Sequence, residues 1–117
     1  MNKSYVAITN ELNEYLAKIR KETPDVMAGF SGMAQAALKD GALSKKTKEM
    51  IALAIGISSH CDGCIGFHVK SLVRLGTTRE ELLEVLGMTV YMGGGPSLMY
   101  AADALRAFEE FSSANNS

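Results

Sequence analysis

Apolar residues recur at steps of three and four almost from end to end of this chain, and nowhere do β-branched residues alternate over a run long enough to predict a strand. Leu12, Tyr15, Leu16 and Ile19 define a first amphipathic helix, from about Asn10 to Lys21. Thr23-Pro24 then reads as an N-cap followed by proline at the first helical position. The second helix carries Val26, Met27, Phe30, Met33, Ala34, Ala37 and Leu38, and ends near Asp40-Gly41, where glycine suits a C-cap. Its small residues, Ala28, Gly29, Ser31, Gly32, Ala34, Ala36 and Ala37, would let another helix approach closely.

Ser44 can cap a third helix that runs to about Ser58. Between Met50 and Ile57 this helix is apolar on every side, which predicts a central, buried position. Glu49 stands at the edge of that apolar segment. It reads either as a solvated first-turn carboxylate favoured by the helix dipole or as a functional group. The chain turns between Ser58 and Gly63, and a fourth helix is expected from about Cys61 to Leu75, closed by Gly76. Thr78-Arg79-Glu80-Glu81 is a capping box that opens a fifth helix through Leu82, Leu83, Val85, Leu86 and Met88. Gly93-Gly94-Gly95-Pro96 interrupts it. A last helix from Pro96 to about Phe111 is expected to bury Leu98, Met99, Ala102, Leu105 and Phe108. The pattern therefore predicts an all-α protein of five to six helices, one domain over residues 1–117, with a frayed polar tail at Ser112 to Ser117.

Composition narrows the function classes. A chain of 117 residues with 47% hydrophobic and 21% charged residues describes a soluble globular protein with one modest core. A net charge of -1 argues against a nucleic-acid or anionic-membrane partner, since both need a clustered basic surface. The longest apolar run, Met50 to Ile57, is far below the ~20 residues that span a bilayer, and the N-terminus lacks the apolar segment of a secretory signal. A cytoplasmic location is expected, where structural disulfides are uncommon and a lone CxxC points to catalysis or metal binding.

Both cysteines and both histidines fall within Ser59-His60-Cys61-Asp62-Gly63-Cys64-Ile65-Gly66-Phe67-His68. A helix started at Cys61 places Cys61, Cys64, Ile65, His68 and Leu72 on one face, with His68 one turn beyond Cys64. Both cysteines then sit in the first turn, where unpaired N–H groups and the dipole stabilise a thiolate. A thiolate attacks peroxides or disulfides, and its neighbour can close a disulfide. Two other readings stay open. The cysteines and His68 can be packing residues at a helix start, or His60, Cys61, Cys64 and His68 can form a Cys2His2 zinc set, although four contiguous ligands strain a tetrahedron. A covalent haem site is excluded because Ile65, not histidine, follows the second cysteine. A thioredoxin host is excluded because no strand precedes the CxxC. Met88, Tyr91, Met92, Met99 and Tyr100, around the glycine break, read chiefly as core residues, with some lining an apolar pocket over the thiols or a subunit interface.

Glu49-x11-Cys61-x2-Cys64-x3-His68 resembles the motif of alkyl hydroperoxide reductase D-like (AhpD-like) proteins, a branch of the carboxymuconolactone decarboxylase superfamily. The resemblance runs from roughly Leu43 through Phe111 and includes the glycine-rich break and Pro96-Ser97-Leu98-Met99-Tyr100-Ala101. It implies a helical AhpD-like fold and a thiol-disulfide oxidoreductase or peroxidase with antioxidant activity. Cys64 would be oxidised to a sulfenic acid, Cys61 would be its disulfide partner, and His68 with Glu49 would relay protons. Substrates would be a peroxide or a disulfide, reopened by an external thiol reductant or a partner redox protein. No cofactor is implied, and the small single-repeat branch assembles as homo-oligomers, commonly trimers or hexamers. Gly63 departs from the pattern, which has a histidine immediately before the second cysteine. Superfamily members that are decarboxylases generally lack the cysteine pair, so Cys61 and Cys64 steer this chain to the thiol branch, and a lyase using His68 and Glu49 as acid and base is the alternative. A hairpin about His60 would set His68 beside Leu53, one turn from Glu49, and so calls for a bridging water or crossed helices between them.

Overall fold

Ser4 accepts the Ala7 N–H on its side chain, so the first helix begins well before Asn10. The computed structural model describes residues 3–115. Its helices run in the order α1 (Tyr5–Glu22), α2 (Pro24–Leu38), α3 (Lys45–Ser58), α4 (Asp62–Arg74) and α5 (Arg79–Asn115), with no strand among the described residues. Of the polar tail expected at Ser112 to Ser117, the described part continues α5 to Asn115, and the rest lies outside the described residues.

The local signals explain most boundaries. Pro24 opens α2, although the Thr23 hydroxyl donates back to the Ile19 carbonyl and does not cap. Gly41 is not the C-cap expected of it: α2 stops at Leu38 with Lys39 extended. Ser44 caps α3 through the Thr47 N–H. The Thr78–Glu81 box is reciprocal, each residue's side chain accepting the other's backbone N–H, at 3.1 and 2.9 Å. At the glycine break only Gly94 leaves helical geometry, with φ 72° and ψ −155°, a conformation that disfavours any Cβ. Pro96 follows in the first turn of the resumed helix, where its missing N–H costs little. The expected fifth and sixth helices are thus two arms of one kinked α5.

The core lies where α3, α4 and α5 pack together, with the start of α1 laid across α4. Leu53 and Ile57 of α3, Ile65, Val69 and Leu72 of α4, and Leu82, Leu86, Ala101, Ala104, Ala107, Phe108 and Phe111 of α5 are buried there with Tyr5. Several expected faces are corrected. On α1 the buried residues are Tyr5 and Thr9, while Tyr15 and Ile19 are exposed. On α5, Leu98, Met99 and Ala102 are exposed, and the inward stripe is Ser97, Ala101, Ala104, Ala107 or Phe108, and Phe111. The stripe of small side chains allows the close approach, which turns the larger ones outward. α3 is buried on one side only, since Ile51 and Ile55 face out. Met88, Tyr91, Met92 and Met99 are likewise exposed and not core. No residue of α2 is buried, Phe30 is 61% exposed, and among the described residues no other helix comes within 4 Å of a Cβ built at Gly29 or Gly32. The close helix approach expected along α2 is therefore not made within the described residues of one chain.

Candidate active site

The site is built on the α3–α4 turn. Ser59 caps α3, and the next two residues close a double hydrogen-bonded motif: His60 N–H donates to the Ile57 carbonyl and Cys61 N–H to that of Gly56. His60 takes the left-handed position at φ 55°, where glycine is the usual choice. Its ring stacks on Tyr100 at a centroid distance of 4.6 Å, an aromatic contact that offsets part of the cost of that conformation.

Cys61 is at once the end of this turn and the N-cap of α4, its Sγ accepting the Cys64 N–H at 3.1 Å. Cys61 and Cys64 are joined in a disulfide, with their Cα atoms 5.2 Å apart, and both are half-buried. Gly56 makes the geometry possible from the other side. A Cβ there would come 2.9 Å from the Cβ of Cys64, so glycine lets α3 press directly on the first turn of α4.

That register also sets the second half of the site. With Gly56 against Cys64, His68 is level with Ala52, about 4.5 Å along the axis from Glu49. The Glu49 side chain covers the offset: its Oε2 lies 2.7 Å from His68 Nδ1. The contact is direct, so of the two arrangements the sequence called for, a bridging water or crossed helices, the water is not needed. Glu49 is only 2% exposed, which overturns its reading as a solvated first-turn carboxylate. A buried carboxylate is costly without a partner, and His68 supplies one. With Glu49 ionised, Nδ1–H donates and Nε2 is left to accept a proton. The His68 side chain, 30% exposed, opens onto an apolar groove of about 360 Å³ between α2 and α3, lined by Ala37, Leu38, Lys48, Ile51 and Ile55 among others.

The four residues of a zinc set are not brought together. His60 turns to Tyr100, the cysteines are paired, and His68 is engaged by Glu49. Among the described residues, no three His, Cys, Asp or Glu side chains are grouped to hold a metal ion.

The sequence reading missed what surrounds Asp62, the residue between the cysteines. Its Oδ1 accepts the Tyr5 hydroxyl at 2.7 Å and the Lys3 ammonium at 3.1 Å, and Lys3 also reaches Asp103 at 2.9 Å. Burial first, and then the bond to Asp62, raise the Tyr5 phenol well above its ordinary range. The bond to Asp103 chiefly raises Lys3 above its own. A carboxylate inside a CxxC is a local prompt to look for its partners, but Lys3 and Tyr5 lie 59 and 57 residues away and carry no sequence signal of the contact. Gly63, the departure from the resemblance, also has a structural correlate, since a Cβ there would meet Leu12 of α1 at 2.9 Å.

Residues 24–107 match the carboxymuconolactone decarboxylase family. The chain belongs to that family. It is similar to the crystal structure of an apo carboxymuconolactone decarboxylase family protein from Legionella pneumophila, with a TM-score of 0.91 and 66% identity over 92% of this chain and 96% of that one. It is also 40% identical, over 85% of its length and 88% of the relative's, to an uncharacterized protein of Cupriavidus necator. A protein encoded in the cox locus of Paracoccus denitrificans is 34% identical over 73% of this chain and 77% of its own. The family match takes in α2, α3, α4 and most of α5, and α1 precedes it. Among the described residues no helix is long and apolar enough to cross a membrane.

Proposed function

We propose that this family member is a thiol-disulfide oxidoreductase that reduces a peroxide or disulfide substrate through Cys61 and Cys64, with an external thiol or partner redox protein as reductant and the cytoplasm as its location. The observation that carries the reading is the Cys61–Cys64 pair at the N-cap of α4, one turn from a histidine held at 2.7 Å by a buried glutamate. In the reduced enzyme, His68 Nε2 takes the Cys64 proton while Glu49 stabilises the resulting imidazolium. The Cys64 thiolate attacks a peroxide oxygen and breaks the O–O bond, leaving a Cys64 sulfenic acid and an alkoxide that takes a proton from His68. Cys61 then attacks the sulfenic sulfur, forming the disulfide and releasing water. Two thiols of the reductant reopen it by exchange and are themselves oxidised to a disulfide.

The test is intact mass with thiol titration before and after peroxide. Loss of two hydrogens with both thiols consumed is expected, and Cys64→Ser should abolish peroxide-dependent turnover. Unchanged thiols under peroxide, or turnover retained by Cys64→Ser, would overturn the peroxidase assignment.

The family name and the groove beside His68 favour one second reading, a lyase that uses His68 and Glu49 as acid and base on an apolar acid, with Lys48 at the groove for its carboxylate. Such an activity would survive the double change Cys61→Ser with Cys64→Ser, and the oxidoreductase activity would not. We also propose a homo-oligomer, a trimer or hexamer, because Val26, Phe30 and Met33 of α2 and Tyr91 and Met92 of α5 leave large apolar side chains uncovered in one chain.

A further inference from the structure

Asp62 is the first residue of α4, where the unpaired N–H groups of the first turn attract any anion. Two anions compete for that position, the Asp62 carboxylate and, after reduction, a cysteine thiolate. The geometry shows how the competition is decided. The Cys64 N–H goes to the sulfur of Cys61 at 3.1 Å, and the carboxylate is engaged by the Tyr5 hydroxyl at 2.7 Å and the Lys3 ammonium at 3.1 Å.

The start of α1 is itself fixed. Ser4 Oγ and the Tyr5 N–H both donate to the Glu110 carboxylate of α5, at 2.9 Å each, and Lys3 is shared with Asp103. The Tyr5 ring is fully buried against α4, with its Cδ1 3.4 Å from a Cβ built at Gly66. The phenol is thereby delivered to Asp62 in a set position. The other charged or titratable groups around the turn include Glu11 and Tyr15 of α1, which line one groove with Asp62, Arg106, which lies 3.9 Å from Asp103, His60 on Tyr100, and the Glu49–His68 pair further along α4.

We infer that Tyr5 and Lys3 are positioning residues for the Cys61–Cys64 centre: by holding the Asp62 carboxylate they leave the first-turn donors of α4 to sulfur, and so set how readily the disulfide is reduced. The inference rests on the thiol-disulfide reading above. Both residues precede the segment that matches the family. Whatever stabilises the thiolate form stabilises the reduced protein and makes its disulfide the stronger oxidant. Freeing Asp62 must therefore make the disulfide harder to reduce, and removing its charge must make it easier.

The experiment equilibrates the full-length protein with reduced and oxidised glutathione, two glutathione thiols giving the protein dithiol and one glutathione disulfide. Tyr5→Phe keeps the ring and its packing but removes the hydroxyl. It should lower the equilibrium constant for reduction about three- to tenfold, and Asp62→Asn should raise it by a similar factor. In the Asp62→Asn background, Tyr5→Phe should change it by less than about twofold. A purely structural tyrosine would act equally in both backgrounds, and that result, or an unshifted constant in Tyr5→Phe, overturns the inference. Lys3→Gln, a change at a largely exposed side chain, repeats the test without touching the core and should also lower the constant. If the unaltered protein does not exchange with glutathione at all, the oxidoreductase reading falls and this inference falls with it. If it exchanges normally and Tyr5→Phe and Lys3→Gln do nothing, only this inference fails.

Discussion

Glu49 Oε2 and His68 Nδ1 meet at 2.7 Å across the α3–α4 hairpin, one group almost wholly buried and the other opening to a groove. A carboxylate in that position orients the imidazole through Nδ1 and leaves Nε2 free to take a proton, the arrangement a general base needs. Glu49→Gln retains shape and hydrogen bonding but not charge. It should lower the rate of thiol oxidation about 10²-fold at neutral pH, measured as stopped-flow consumption of peroxide or of a disulfide substrate. His68→Gln should fall by a similar factor, and the double variant should be little worse than either, because the two act as a unit. A rate unaffected by Glu49→Gln would remove the relay.

The local chemistry of the chain was legible in its residues, and the choice of inward face was not. The Thr78–Glu81 box and the Ser44 cap each depend on residues within one turn, and each is present, whereas Cys61 stands before α4 as its N-cap and not in its first turn as expected. The inward faces of α1 and α2, and that of α5 at Leu98, Met99 and Ala102, were misread because this chain carries more apolar stripes than one small core can bury, whereas Phe108 is buried as expected. Where Leu98 and Met99 compete with Ala101 and Ala104, periodicity alone does not say that the alanines go inside. They do so because helices pack closer on small side chains. The Glu49–His68 distance was misjudged for a different reason, as it depends on the interhelix register that Gly56 sets against Cys64. Asp62 could be singled out in the sequence, but its hold on Tyr5 and Lys3 joins segments 57 and 59 residues apart and exists only once the fold does.

The Tyr5 phenol carries a pH signature. Its folded-state pKa is raised above the value in the unfolded chain, chiefly by burial. Its contribution to stability is thus complete below about pH 10, the ordinary range of tyrosine, and is lost as pH rises beyond it. Lys3, raised likewise, adds to the loss in the same direction at somewhat higher pH. Urea unfolding at pH 9, 10 and 11 should show stability falling by at most about 1.4 kcal/mol per pH unit per group, less where water screens the pair. Tyr5→Phe should flatten the slope, and an unchanged slope would separate the phenol from the alkaline transition.

The apolar face of α2 carries its own test. Phe30 is 61% exposed and Val26 and Met33 more so, and burying one such side chain is worth roughly 1.5–3 kcal/mol. Phe30→Glu should weaken self-association by at least tenfold in Kd per interface, on the order of 1.4 kcal/mol. Sedimentation velocity at micromolar concentration would show a shift toward monomer. A wild-type chain that sediments as a monomer would remove the oligomer from the reading, as would a Phe30→Glu variant whose assembly is unaffected.

Gly56 is the position where fold and chemistry meet most tightly. Its missing side chain lets α3 lie against the first turn of α4, with Cys64 Cβ 2.9 Å and Cys64 C 3.7 Å from where a Cβ would stand. The obstruction is the Cys64 Cβ, which is fixed to the backbone, so a rotamer change cannot relieve it, and α4 must move by a few tenths of an ångström. Alanine normally stabilises a helix interior by roughly 0.5–1 kcal/mol over glycine. Here overpacking of about 1–3 kcal/mol opposes that gain, and Gly56→Ala should be neutral to about 2 kcal/mol less stable in thermal or urea unfolding. Its larger effect should be on the site. The Glu49–His68 contact depends on the same register, so displacing α4 lengthens a 2.7 Å bond and should lower thiol reactivity severalfold even where the protein stays folded. Reactivity and stability measured on the same sample separate the two effects. Loss of stability with reactivity intact would mean that the register does not couple Gly56 to the relay.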